Sequence, residues 1–124
     1  MTTIRTVLAA TAAVGLTLAL GAAPAQADNP VITGTFSAAK YVDVTDQLCV
    51  RVEGTLGSTF YAEALIRKDG TTVASRFKVG NNDGSWSCTR NLSIPEDRAY
   101  TLVLRDCTTN ANPSCTTKRK SFYS

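Results

Sequence analysis

From Asp28 onward the chain is written in short runs of β-branched and aromatic residues, broken at regular intervals by Gly, Pro, Asn and Asp, and no window carries a helical period. The pattern predicts strands over Val31 to Ser37, Gln47 to Thr55, Thr59 to Lys68, Thr71 to Val79, Ser85 to Ile94, Tyr100 to Cys107 and Cys115 to Tyr123. Asp69-Gly70 reads as a two-residue primed hairpin turn, Asn81-Asn82-Asp83-Gly84 as a four-residue turn, and Pro95-Glu96-Asp97-Arg98 as a turn with proline where a type I turn favours it. Alternation puts Leu48, Val50 and Val52 on one face with Arg51 and Glu53 on the other, and Tyr100, Leu102 and Leu104 opposite Thr101, Val103 and Arg105. The fold expected from this is all-β, an immunoglobulin-like sandwich of about seven strands with a core made from the apolar sets.

Two positions resist that pattern. Trp86, Cys88, Leu92 and Ile94 share a parity that Arg90 breaks, and Cys49 falls on the polar parity of its own strand. A bulge near Arg90 or Cys49 would reconcile them, with Trp86 as a core plug packed against a disulfide.

The N-terminus has its own grammar. Arg5, the apolar run from Val7 to Gly21 and Ala25-Gln26-Ala27 after Pro24 make residues 1–27 a cleavable secretory signal peptide. The run of 15 residues is shorter than the roughly 20 that a spanning helix needs. The division that follows is a signal peptide at 1–27, an extended N-terminal segment or first strand at 28–40, and a disulfide-stapled sandwich at 41–124. A secreted protein without stable membrane insertion is expected.

Composition narrows the chemistry. The chain contains no histidine, which removes Ser-His-Asp triads, Cys-His dyads and imidazole zinc sites. Its net charge of +3 falls to +2 once Arg5 leaves with the signal, too little to support nucleic-acid binding. The basic run Lys118-Arg119-Lys120 reads as a solvated edge strand whose lysines discourage pairing, with docking of an anionic cell-wall polymer as its functional alternative. Four cysteines, Cys49, Cys88, Cys107 and Cys115, spaced by 39, 19 and 8 residues without a C-x-x-C pair, argue for two disulfides and against a metal knuckle. The turn-rich stretch Thr108 to Ser114 favours joining Cys107 to Cys115, which leaves Cys49 for Cys88.

No catalytic residue, metal ligand or cofactor is assigned. Glu53, Glu63 and Asp106 are strand carboxylates better read as ion-pair partners; Asn81 to Gly84 lacks the order of a calcium loop. Partner binding rests instead on exposed aromatics and on the N-terminal strand. Adjacent aromatics point to opposite faces, so Tyr61 of Phe60-Tyr61 and Tyr123 of Phe122-Tyr123 are assigned to the surface. The segment Asp28 to Lys40, in which Val31, Thr33 and Thr35 alternate with Ile32 and Phe36 around Gly34, precedes the first cysteine and is tethered at one end; it either completes its own sandwich or adds to another protein's sheet.

An alanine-rich leader ending Pro24-Ala25-Gln26-Ala27, then the extended segment Asp28 to Lys40, then a four-cysteine β domain resembles the small secreted two-disulfide proteins of actinobacteria. Among these the layout is similar to the adaptor subunits of umbrella-shaped toxin particles, in which an N-terminal strand engages a stalk protein. The resemblance implies that Val31 to Phe36 is the inserting strand and that the stapled body is a connector. The function expected is therefore a non-enzymatic protein-protein interaction module whose partner is another secreted protein. The alternatives are an extracellular hydrolase inhibitor or small antimicrobial protein, acting through Asn81 to Trp86 or Thr108 to Ser114, and a carbohydrate or cell-wall enzyme using Glu63 or Asp106.

Overall fold

The computed structural model of the protein describes residues 29–53, 60–80, 84–109 and 112–124. Residues 1–27, expected to be a signal peptide, lie outside them, as do Asn81 to Asp83 of the predicted four-residue turn. Among the described residues eight strands form: β1 (Val31–Thr33), β2 (Ser37–Val42), β3 (Gln47–Val52), β4 (Phe60–Lys68), β5 (Thr71–Val79), β6 (Ser87–Cys88), β7 (Ala99–Thr108) and β8 (Cys115–Tyr123), with one 3-10 turn at Asp43–Thr45. They make two antiparallel four-stranded sheets, ordered β1-β2-β3-β6 and β5-β4-β7-β8. In immunoglobulin lettering β2, β3 and β6 take the places of A, B and E, and β5, β4, β7 and β8 those of C′, C, F and G; β1 is added outside A.

The expected first strand is in fact a hairpin. The chain folds back at Gly34, whose N–H donates to the Ser37 carbonyl at 2.7 Å, and β1 pairs with β2 from Val31↔Lys40 to Thr33↔Ala38. Glycine is required there because a Cβ would run into the Asp106 carboxylate. That carboxylate accepts from Thr35 N–H at 3.1 Å, from Ser37 Oγ at 3.0 Å and from Thr116 Oγ1. The β4–β5 turn matches expectation, since Asp69 and Gly70 both have positive φ, 50° and 79°, as a type I′ turn demands.

The core is the alternation set read from sequence. Leu48, Val50 and Val52 of β3 face Ala62, Ala64 and Ile66 of β4, and Leu102 and Leu104 of β7 complete the layer. All except Leu104, at 1 %, have no exposed surface. The small side chains of β4 leave room for the large ones opposite. Tyr41 and Tyr100 both stack near Phe122, at centroid distances of 5.0 and 5.7 Å. Tyr100, at the start of β7, donates its hydroxyl to the Pro95 carbonyl at 2.8 Å, the tyrosine corner of immunoglobulin-like domains. Two residues on, where antibody domains place their inter-sheet cysteine, stands the aliphatic Leu102.

The strand expected over Ser85 to Ile94 is reduced to two residues. Beyond Cys88 the backbone leaves the sheet because Asp46 captures it: the Asp46 carbonyl accepts from Leu92 N–H at 2.8 Å, and its Oδ2 accepts from Ile94 N–H at 2.9 Å. Arg90 therefore breaks no strand parity. Nor is there a bulge at Cys49; the register shift lies at Ile66/Arg67, against β5.

Candidate functional site

Both disulfides sit on the outer faces of the sandwich. Cys49 is the direct cross-strand partner of Cys88 in the first sheet, and Cys107 that of Cys115 in the second, with Cα separations of 4.0 and 4.1 Å. The pairing is the one expected, but its location explains the parity conflict: each bridge staples neighbours within one sheet, so Cys49 belongs on the non-core parity. Trp86 follows it outward. It is half-buried rather than a core plug, with Lys40 Nζ 4.3 Å and Arg51 Cζ 4.9 Å from its ring centroid. Arg51 also pairs with Glu53 at 3.2 Å.

On the second sheet the outer face carries Tyr61, Glu63 and Leu65 of β4, beside Val79, Phe77 and Ser75 of β5, and Cys107, Arg105 and Val103 of β7. Tyr61 and Phe77 stack at 5.3 Å. Phe77 and Val79 are 53 % and 52 % exposed, an apolar pair held in water at the edge of a sheet. Alternation in β5 alone assigns these residues to the core, yet Ala74, Arg76 and Lys78 face inward. An edge strand lies at the rim of the core, and long cationic side chains can reach round it. Arg76 Nε donates to Ser87 Oγ at 2.9 Å, and Lys78 Nζ donates to Ser85, closing the seam between β5 and β6. The opposite seam, between β8 and β1, is closed by Lys118 Nζ donating to the Thr33 carbonyl at 2.9 Å.

Among the described residues β5 is also an unpaired edge. Gly80 N–H bonds the Phe60 carbonyl, which sets the ladder phase so that the N–H and C=O groups of Ser75, Phe77 and Val79 point away from β4. The second sheet therefore offers main-chain donors and acceptors next to its exposed apolar side chains, the two ingredients of strand addition. β8 is the other free edge, and as expected of a lysine-bearing edge its residues Cys115 to Ser121 are exposed.

The residues singled out from sequence are dispersed. Val31, Thr33 and Thr35 are exposed, but Ile32 is 6 % exposed within the core and Phe36 packs on Phe60 at 4.0 Å. The N-terminal segment thus completes its own sandwich and is not a free tether. Tyr61 reaches the apolar patch; Tyr123, half-buried, lies on the same outer face at the opposite edge strand, where its hydroxyl donates to the Asp97 carbonyl at 2.9 Å. Glu63 and Asp106 lie on opposite faces of the second sheet, so they cannot act as a pair, and Asp106 is 2 % exposed. Loop residues Asn110 and Ala111, like Asn81 to Asp83, lie outside the described residues. Phe77, Val79, Lys40 and Arg51 were not candidates from sequence; the signal for the first two is a β-branched and aromatic stripe alternating with Arg76 and Lys78, which marks an edge once its position is known.

Burial raises the hydroxyl pKa of Tyr41 well above the ordinary phenol range, and burial raises that of Tyr100 as well. Both remain neutral donors, Tyr41 to Asp46 Oδ1 at 2.7 Å. Among the described residues no cluster of three potential metal ligands occurs and no helix is long and apolar enough to cross a membrane. The two disulfides mark an oxidising compartment. No protein-family model, curated protein or solved structure matches the chain.

Proposed function

We propose that this is a secreted, non-enzymatic interaction module that binds another secreted protein, serving as a connector of the kind found in extracellular toxin complexes. The observation that carries the reading is the Tyr61–Phe77–Val79 patch, exposed beside the free main-chain edge of β5. Leaving Phe77 half in water sacrifices burial that a mere scaffold would recover, and a partner strand lying along Ser75, Phe77 and Val79 would recover it. Two cross-strand disulfides hold both sheets rigid, so little ordering entropy opposes binding. The adaptor layout assigns engagement to Val31 to Phe36; with that segment folded into the first sheet, the contact moves to β5. The leader over residues 1–27 supplies export.

The test is affinity capture from the native culture supernatant with the wild-type protein and with Phe77→Asp. A protein retained by the wild type and lost with the variant, at unchanged melting temperature, supports the reading. Equal retention by both sinks it.

A further inference from the structure

We propose that the outer face of the first sheet is a binding track for an acidic polysaccharide, a polymer of sugars bearing carboxylates. The inference concerns the other sheet and stands independently of the protein-partner reading. Lys40 and Arg51 converge on the single indole of Trp86, at 4.3 and 4.9 Å. Two like charges on one ring repel, and Glu53 pairs with Arg51 only. Among the described residues the ammonium of Lys40 has no acidic partner, and the buried Nε of Arg51 has no hydrogen-bond acceptor. The group of Lys40, Arg51 and Glu53 thus carries a net positive charge beside an aromatic ring, which an anion reaching Lys40 would balance.

The register extends the site into a line. Thr33, Ala38 and Arg51 lie in one row across β1, β2 and β3, and Val31, Lys40 and Cys49 in the next. At the β1 end of the first row, the Thr33 carbonyl holds Lys118 Nζ at 2.9 Å. Thr33 and Arg51 are two strand spacings apart, about 10 Å. Cations thus stand at the β8 seam and, across the sheet, at Trp86. Separated cations on one sheet face suit a repeating polyanion, which gains avidity from successive weak contacts, better than a small ligand that needs enclosure. The choice of sugar over acidic peptide follows from the indole, whose apolar surface pairs with sugar C–H groups, while exposed Thr33 offers its hydroxyl to those of a sugar.

Trp86 is the only tryptophan in the chain, so its emission reports on this site alone. The purified, oxidised protein is titrated with polygalacturonate, with neutral dextran and with poly-L-glutamate, and affinities are checked by calorimetry. Polygalacturonate is expected to change Trp86 emission saturably, dextran to leave it unchanged, and poly-L-glutamate to bind at least about tenfold more weakly. Lys40→Gln and Lys118→Gln are each expected to weaken polygalacturonate binding by about tenfold, Lys40→Gln at unchanged melting temperature, the loss of one charged contact. Absence of polygalacturonate binding by both emission and heat overturns the proposal, as does equal affinity in either lysine variant. Equal affinity for poly-L-glutamate also overturns it and assigns the track to an acidic protein segment.

Discussion

The two outer faces of the sandwich are built alike and furnished differently. Each carries one cross-strand disulfide between directly paired residues, Cys49↔Cys88 on the first sheet and Cys107↔Cys115 on the second. On the first, Trp86 and two cations occupy the outer face beside the bridge; on the second, Tyr61, Phe77 and Val79 form an apolar patch that runs to an unpaired edge. With the core supplied by aliphatic and aromatic side chains, the cysteines are free to brace surfaces, and a braced surface can hold side chains that a softer one would let collapse. The contrast separates charge recognition on one face from apolar recognition on the other.

The largest expected effect tests the bracing. Replacing Cys49 and Cys88 together by Ser opens a 40-residue ring, and replacing Cys107 and Cys115 opens a nine-residue ring. The loop-entropy relation gives losses of about 3.9 and about 2.6 kcal/mol. Urea unfolding should therefore place the first-sheet variant below the second-sheet variant; the reverse order would mean that native contacts, not chain closure, set the difference.

Next comes Asp106, whose carboxylate ties the β1–β2 hairpin of one sheet to β7 and β8 of the other. Asp106→Ala leaves buried donors without an acceptor and is expected to cost about 1–3 kcal/mol, read as a lower denaturation midpoint. A cost near zero would show that the hairpin is held by its ladder alone.

Alkaline pH probes the tyrosines that join the sheets around Phe122. Burial raises the pKa of Tyr41 and Tyr100 in the folded state, so both keep their protons there when the unfolded chain, with phenols near 10, releases them. Their contribution is complete below about pH 10 and is lost as pH rises from there through the folded values. Melting temperature should decline above that pH, and Tyr41→Phe should flatten the decline.

The smallest effect on stability belongs to the patch itself. Phe77→Asp at a half-exposed edge is expected to stay within about 0.5 kcal/mol of wild type, measured by thermal unfolding. A larger loss would make Phe77 a structural residue and remove the basis of the contrast.

Much of the fold is legible along the chain because strands with one wet face must alternate. Leu48, Val50, Val52, Tyr100, Leu102 and Leu104 could be assigned inward, and the Asp69-Gly70 turn follows from the positive φ that only such residues accept readily. The β1–β2 hairpin was not legible, since its turn is stabilised by Asp106, 72 positions beyond Gly34. Nor was the end of β6, where Asp46 captures the backbone at Leu92 and Ile94. The candidate site suffered most. Tyr61 could be assigned to the surface because it and Phe60 must point to opposite faces, but Phe77 and Val79 look like core from their own strand.

What the amino-acid order by itself determined is the class: an all-β domain with two disulfides and no histidine chemistry. Those follow from local periodicity, turn residues and inventory. For the edge strands only the tertiary structure decided which face meets water, because alternation divides a strand into two sets without saying which set points inward. That choice depends on whether the strand is central or at an edge, and the edge positions of β5 and β8 arise from pairings between residues far apart in the chain.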